Sequence, residues 1–113
     1  MLAQPYLSEN ERTAVGEIKQ SVLDLVGGRL KVFSVFGSKA RGDFDPESDV
    51  DLAIVVEGLD GEMKRRIIDR VIDSEMEHLV VISSLVLSWN DFTHLHDRER
   101  RIALDIEREG IPL

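Results

Sequence analysis

Apolar residues recur along this chain with two different periods, and the places where the period changes mark its elements. Val15, Ile18, Val22, Leu25 and Val26 follow helical spacing, one stripe of a 3.6-residue repeat. Ahead of them Ser8-Glu9-Asn10-Glu11 has the Ser-x-x-Glu form of a capping box, and Gly27-Gly28 stops the helix. The run from Leu30 to Phe36 predicts a first strand, ending abruptly at Gly37-Ser38. Ser38 to Arg41 begins a short helix, Gly42 to Ser48 is a loop containing Pro46, and Asp49 to Val56 is a second strand. There Val55 and Val56 follow each other without alternation, the mark of a central strand buried on both faces. Gly58 to Gly61 breaks it. Met63, Ile67, Val71, Ile72 and Met76 define a second long helix, with Lys64, Arg65, Arg66 and Arg70 mostly on its other sides. Leu79 to Leu87 reads as a third strand. Ser88-Trp89-Asn90-Asp91 repeats the capping shape with Asp in place of Glu, and predicts a short helix from Trp89 to Leu95. A last helix from about Asp97 to Glu107 carries Ile102, Leu104 and Ile106, with Gly110 just past its end. The sum is an α/β (α+β) sandwich: three or four strands of mixed direction, with helices packed on one face.

Composition narrows this without changing it. No repeat, low-complexity tract or linker interrupts the 113 residues, which are expected to form a single domain over 1–113. Cysteine is absent, and neither a signal peptide nor an apolar run of membrane-spanning length is apparent, so the cytoplasm is the expected compartment and no membrane is involved. The formal charge of −8 argues against a polynucleotide partner, whose binding depends on many Lys and Arg contacts to phosphate.

The candidate chemistry lies between the first two strands. A strand that turns into a helix at Gly37-Ser38 offers free backbone N–H groups to an anion, and Ser38 adds a hydroxyl. Asp49 and Asp51 are two residues apart, so in a strand both carboxylates leave one face while Val50, Leu52 and Ile54 leave the other. Such a pair repels itself unless a cation sits between. Mg²⁺, a hard ion that keeps waters and is completed by substrate phosphates, suits the need. The bland readings are Ser38 as an ordinary N-cap and the aspartates as the solvated face of an edge strand. Burial of the second strand on both faces weighs against the latter, because unpaired buried carboxylates are costly. Lys39 and Arg41 fit phosphate contact and a solvated surface equally well.

The string GSKARGDFDPESDVDL resembles the signature of the polymerase-beta-type nucleotidyltransferases: Gly-Ser, ten residues, Asp-x-Asp. It is most similar to their minimal (MNT) group, and the ending Arg108-Glu109-Gly110-Ile111-Pro112-Leu113 is similar to that group as well. The resemblance implies a polymerase-beta-like fold and transfer of a nucleoside monophosphate, AMP from ATP, to a hydroxyl on a partner protein or small acceptor. It implies Mg²⁺ held by Asp49 and Asp51 as catalytic residues, and phosphates held by Gly37, Ser38, Lys39, Arg41 and Ser48. It also implies a HEPN-domain partner protein in a toxin–antitoxin pair, or a homodimer, since one small domain offers little second wall for an acceptor. The chain departs from the pattern in one respect. The family's third carboxylate, on the next strand, has no counterpart in His78-Leu79-Val80-Val81-Ile82-Ser83-Ser84-Leu85-Val86-Leu87. Glu75 and Glu77 fall on the preceding helix, which leaves Val81, Ser83 or Ser84 at the position. A non-catalytic nucleotide- or partner-binding module is therefore the alternative.

Other side chains read as ordinary. His78, His94 and His96 are too scattered for a metal triad, Trp89 is a core anchor before it is a base-stacking platform, and Lys64-Arg65-Arg66 with Arg70 is a solvated helix face. Asp43, Asp45 and Glu47 solvate the loop between the motif halves, where a mobile loop would help admit substrate.

Overall fold

Ser8 caps the first helix in both directions. Its hydroxyl accepts from the Glu11 N–H at 3.1 Å while the Glu11 carboxylate accepts from the Ser8 N–H at 2.9 Å. In this computed structural model, which describes residues 5–42, 48–98 and 100–113, the elements in chain order are α1 (Glu9–Val26), β1 (Leu30–Phe36), a single helical turn α2 (Ser38–Arg41), β2 (Val50–Val56), α3 (Gly61–His78), β3 (Ile82–Ser88), α4 (Trp89–Asp97), α5 (Arg101–Glu109) and β4 (Ile111–Pro112). The loop residues Asp43, Asp45, Pro46 and Glu47 lie outside the described residues. Among those described, no helix is long and apolar enough to cross a membrane.

The four strands form one mixed sheet in the order β3-β2-β1-β4. β1 runs antiparallel to both β2 and β4, while β2 and β3 are parallel and joined through α3. β2 is the central strand that its unbroken apolar run predicts: Leu52, Ala53, Ile54, Val55 and Val56 are wholly buried. One face of the sheet, Phe33, Val35, Val50, Leu52, Ile54, Val56, Ile82 and Val86, packs on Val15, Ile18 and Val22 of α1 and on Ile67 and Val71 of α3. Full burial of each large aliphatic side chain contributes roughly 1.5–3 kcal/mol, so this layer carries most of the fold's stability.

Helices on one face alone is an expectation the structure corrects. Phe92 of α4 and Ala103 and Ile106 of α5 pack with Ala53 and Val55 on the opposite face, together with Val32, Leu85 and Leu87. The apolar side chains of β2 on that face needed cover, and the two short helices supply it. Their boundaries also differ from expectation: α4 extends to Asp97, and α5 begins only at Arg101 and buries Ala103 and Ile106, leaving Ile102 exposed. Trp89 is partly exposed, and Phe92, with its ring centroid 6.1 Å away, is the anchor instead.

Two further corrections concern α3 and β3. Ile72 and Met76 are exposed, Met76 at 72%. The buried stripe is Ile67, Val71 and Ser74, and the Ser74 hydroxyl meets its need by donating to the Ala14 carbonyl at 3.1 Å. Leu79 does not open a strand. It ends α3 in the left-handed conformation, φ 55° and ψ 48°, and is 89% exposed, so β3 starts three residues later at Ile82.

Candidate functional site

Strand register gathers the site at one end of the sheet. Asp51 pairs with Phe36 on β1 and with Ser83 on β3, so the three side chains form a row on the face that α4 and α5 cover farther along. Asp51 is half-buried there; Asp49, just before the strand, is exposed. β1 ends beside Asp51 and turns at Gly37 with φ 72° and ψ −150°, a conformation open essentially to glycine. A Cβ at Gly37 would overlap Asp51 Oδ2 and lie 3.2 Å from its Cγ. The turn's backbone thus rests directly against the aspartate, joining the two halves of the motif.

The carboxyl of Asp51 titrates above the ordinary aspartate range because burial disfavours its charge and Asp49 repels it, with Arg41 opposing both. The ionised form of Asp51 makes a like-charge pair with Asp49 that a cation would relieve. Oxygen-only donors, one half-buried and one open to solvent, fit a hard divalent ion that retains waters. Gly37→Ala is expected to destabilise the protein by about 1–3 kcal/mol through the forced φ, and to displace Asp51 as well. Thermal melts with and without Mg²⁺ check it: the variant should lose both stability and any metal-dependent rise in Tm, and a wild-type melt would overturn the close approach.

Around this centre the other expected residues fall in two groups. Ser38 is the first residue of α2, half-buried, and Arg41 at the end of the turn is exposed, its Nη1 donating to Glu109 Oε2 at 2.8 Å. With one turn only, α2 has a small dipole, so an anion here would be held by N–H groups more than by the macrodipole. Lys39 is buried. Its side chain is 5% exposed and its ammonium donates to Glu11 Oε1 at 3.4 Å, tying α2 to the start of α1. Ser48 and Lys39 line a groove of about 840 Å³ with Tyr6, Asn10, Glu11 and Val81.

The third strand carries no acid beside Asp51. Ser83 occupies that position, exposed and on the same face. Glu75 instead accepts from the Ile82 N–H at 3.1 Å, and Glu77 is exposed on α3. Packing of α1 on α3 brings Glu17, Glu77 and His78 within 4.8 Å of one another, with His78 Nε2 2.6 Å from Glu17. The spacing of the histidines gave no sign of this cluster, because its members come from two helices; it lies apart from the aspartates. His96 pairs with Glu107 of α5. Lys64, Arg65, Arg66 and Arg70 are exposed, as expected, with Arg66 bonded to Glu62 one turn earlier.

A profile of the nucleotidyltransferase domain family matches residues 15–107, a span holding the turn, both aspartates and all of β1 to β3. The chain belongs to this family. Two similar proteins come from Methanocaldococcus jannaschii, each named as a candidate protein adenylyltransferase. One is 44% identical over 46 residues, which is 41% of this chain and 46% of that protein. The other is 32% identical over 93 residues, covering 81% of this chain and 94% of its own length. A solved structure of a candidate nucleotidyltransferase from Sulfolobus solfataricus is similar over 81% of each chain, at 21% identity and a TM-score of 0.44. Within the family frame, the feature that sequence reading missed is Glu109. It sits 68 residues from Arg41, and no local spacing connects them.

Proposed function

We propose that this nucleotidyltransferase transfers AMP from ATP to a hydroxyl of a partner protein. The observation that supports the reading is the close seat of Gly37 on Asp51, which brings the two halves of the sequence motif into contact. Adenylate is favoured over other nucleotides by the names of the two relatives. Asp49 and Asp51 would hold Mg²⁺, which supplies charge neutralisation for the phosphates when bound. Gly37, Ser38, Lys39, Arg41 and Ser48 would orient the triphosphate. The acceptor oxygen forms a bond to the α-phosphorus, the bond from that phosphorus to the β-phosphate oxygen breaks, and pyrophosphate leaves. Asp51 would take the hydroxyl proton, since its neighbour on β3 is a serine.

One small domain offers little second wall for an acceptor, so the acceptor is expected to arrive on another protein. A HEPN-domain toxin, neutralised by modification or by binding in the cytoplasm, is the partner the family resemblance favours; a second copy of the chain is the competing arrangement. Incubation of the protein and its neighbouring gene product with α-labelled ATP tests the reading. Label on the partner that disappears with chelator is the expected result. A partner that binds yet takes no label would overturn transfer and favour a binding module, the reading that Ser83 in place of a carboxylate supports.

A further inference from the structure

The sheet face that carries Asp51 also carries a cavity. α4 packs over β2 and β3 and α5 over β1, and between them a space of about 400 Å³ remains, lined by Val32, Ser34, Trp89, Phe92, Ile106 and Pro112. That volume lies toward the small end of the range for small-molecule sites. Ser34 precedes Phe36, the β1 partner of Asp51, by two residues, so the cavity begins roughly 7 Å along the strand from the aspartate end.

The floor is polar at one point. Ser34 is 5% exposed, and among the described residues its hydroxyl has no hydrogen-bond partner. No buried side-chain oxygen or nitrogen among them is sealed off without a partner, so this hydroxyl opens into the cavity that Ser34 lines. A hydroxyl taken out of bulk water gains from any group that bonds it there. The wall is aromatic. Trp89 is 38% exposed, and its ring centroid lies 6.1 Å from that of Phe92 with the planes tilted by 32°. A third ring in the cavity would cover part of that exposed surface and add an offset or edge contact to the pair. The charges at the rim are already matched, Lys31 with Glu57 at 3.2 Å and His96 with Glu107, which favours a neutral occupant over an ion. We propose that this cavity is a binding site for a small, neutral, planar heteroaromatic molecule, its ring against Trp89 and Phe92 and one polar atom on the Ser34 hydroxyl. The site would stand whether or not the aspartates hold a nucleotide.

Trp89 is the chain's one tryptophan, so its indole N–H gives a single magnetic-resonance signal that reports on the cavity wall. Titration of ¹⁵N-labelled protein with indole, and with indene as a ring of the same shape lacking the polar atom, tests the proposal. Indole is expected to shift the Trp89 signal with a Kd of about a millimolar, a modest demand on so small a ring. Ser34→Ala should weaken indole roughly three- to tenfold, the scale of one neutral hydrogen bond, and should not weaken indene. Thr93→Phe, which fills the cavity from α4, should abolish binding of both, and it keeps the test open if Ser34→Ala folds poorly. An unmoved Trp89 signal at ten times the expected Kd would overturn the proposal. So would equal losses for indole and indene in Ser34→Ala, because the hydroxyl would then select nothing. A shift that persists in Thr93→Phe would mark an adventitious additive only, lying on the outer surface of Trp89, and would overturn it too.

Discussion

Asp51→Asn is expected to leave a well-folded protein whose nucleotide transfer is at least about a thousand-fold slower. Loss of a metal-binding carboxylate removes several kcal/mol of charge stabilisation, and each 1.36 kcal/mol is a factor of ten in rate. The asparagine is nearly the same shape, so the row of Phe36, position 51 and Ser83 should persist. Stability should move the other way. In the native state the Asp51 carboxyl has its pKa raised by burial first and by Asp49 second, so its ionised form is a liability at neutral pH. That liability shrinks as pH falls through the raised native value and is gone below the ordinary aspartate value. The variant should therefore be more stable than wild type near neutrality, by a few tenths of a kcal/mol once solvent screening is counted, and equal to it in acid. Melts at neutral and acid pH, with and without Mg²⁺, separate these effects, since a cation that binds only the native state raises Tm in wild type and not in the variant. Transfer within tenfold of wild type would remove Asp51 from the chemistry.

What the sequence made legible was local. The capping box at Ser8, the glycines after Val26 and the unbroken apolar run of β2 each act within a few residues, and the structure uses each as its spacing implies. The Gly-Ser turn was legible for the same reason, since a strand end is a short-range rule, whereas β2 begins only after Asp49, at Val50. Illegible features depended on what packs against what. The buried stripe of α3 includes Ser74 rather than Met76 because a carbonyl of α1 is there to accept its hydroxyl. The apolar stretch from Leu79 to Val81 imitates a strand, and only tertiary packing makes a leucine end the helix in a left-handed turn. Alternating Ile102, Leu104 and Ile106 obscured a helix whose inner face is Ala103 and Ile106.

The largest of these gaps bears on function. A sheet with helices on one face would leave the site face bare, whereas α4 and α5 roof part of it and bring Glu109 to Arg41. Among the described residues, the site thus lies at one end of a partly covered face, with Arg41 of α2 paired to Glu109 of α5. Lys39 shows the converse. It neighbours the turn in sequence, yet the one-turn helix directs it to Glu11 and makes it a strut between α1 and α2.

Ser83→Asp is expected to raise the transfer rate by on the order of a hundred- to ten-thousand-fold, the range that a positioned general base contributes. The reason is register: Ser83 is the β3 partner of Asp51, on the same face, so a carboxylate there would flank the site from the side away from Gly37. Val81→Asp should do far less, because Val81 precedes the strand and spends its carbonyl on the Val50 N–H at 3.0 Å. The gain should carry a signature in stability. Three carboxylates crowd one strand end in Ser83→Asp, so the metal-free protein should melt below wild type and recover more on addition of Mg²⁺. Labelled-adenylate transfer to the partner, measured beside those melts, decides between the two readings of the site. A faster Ser83→Asp identifies a working enzyme that lacks one carboxylate. No gain, with the partner bound and the Mg²⁺-dependent melt present, would mean that the site holds a metal nucleotide without passing it on. Wild-type transfer already as fast as ordinary transferases would show instead that Ser83 is not a vacant position and that Asp51 alone suffices as base.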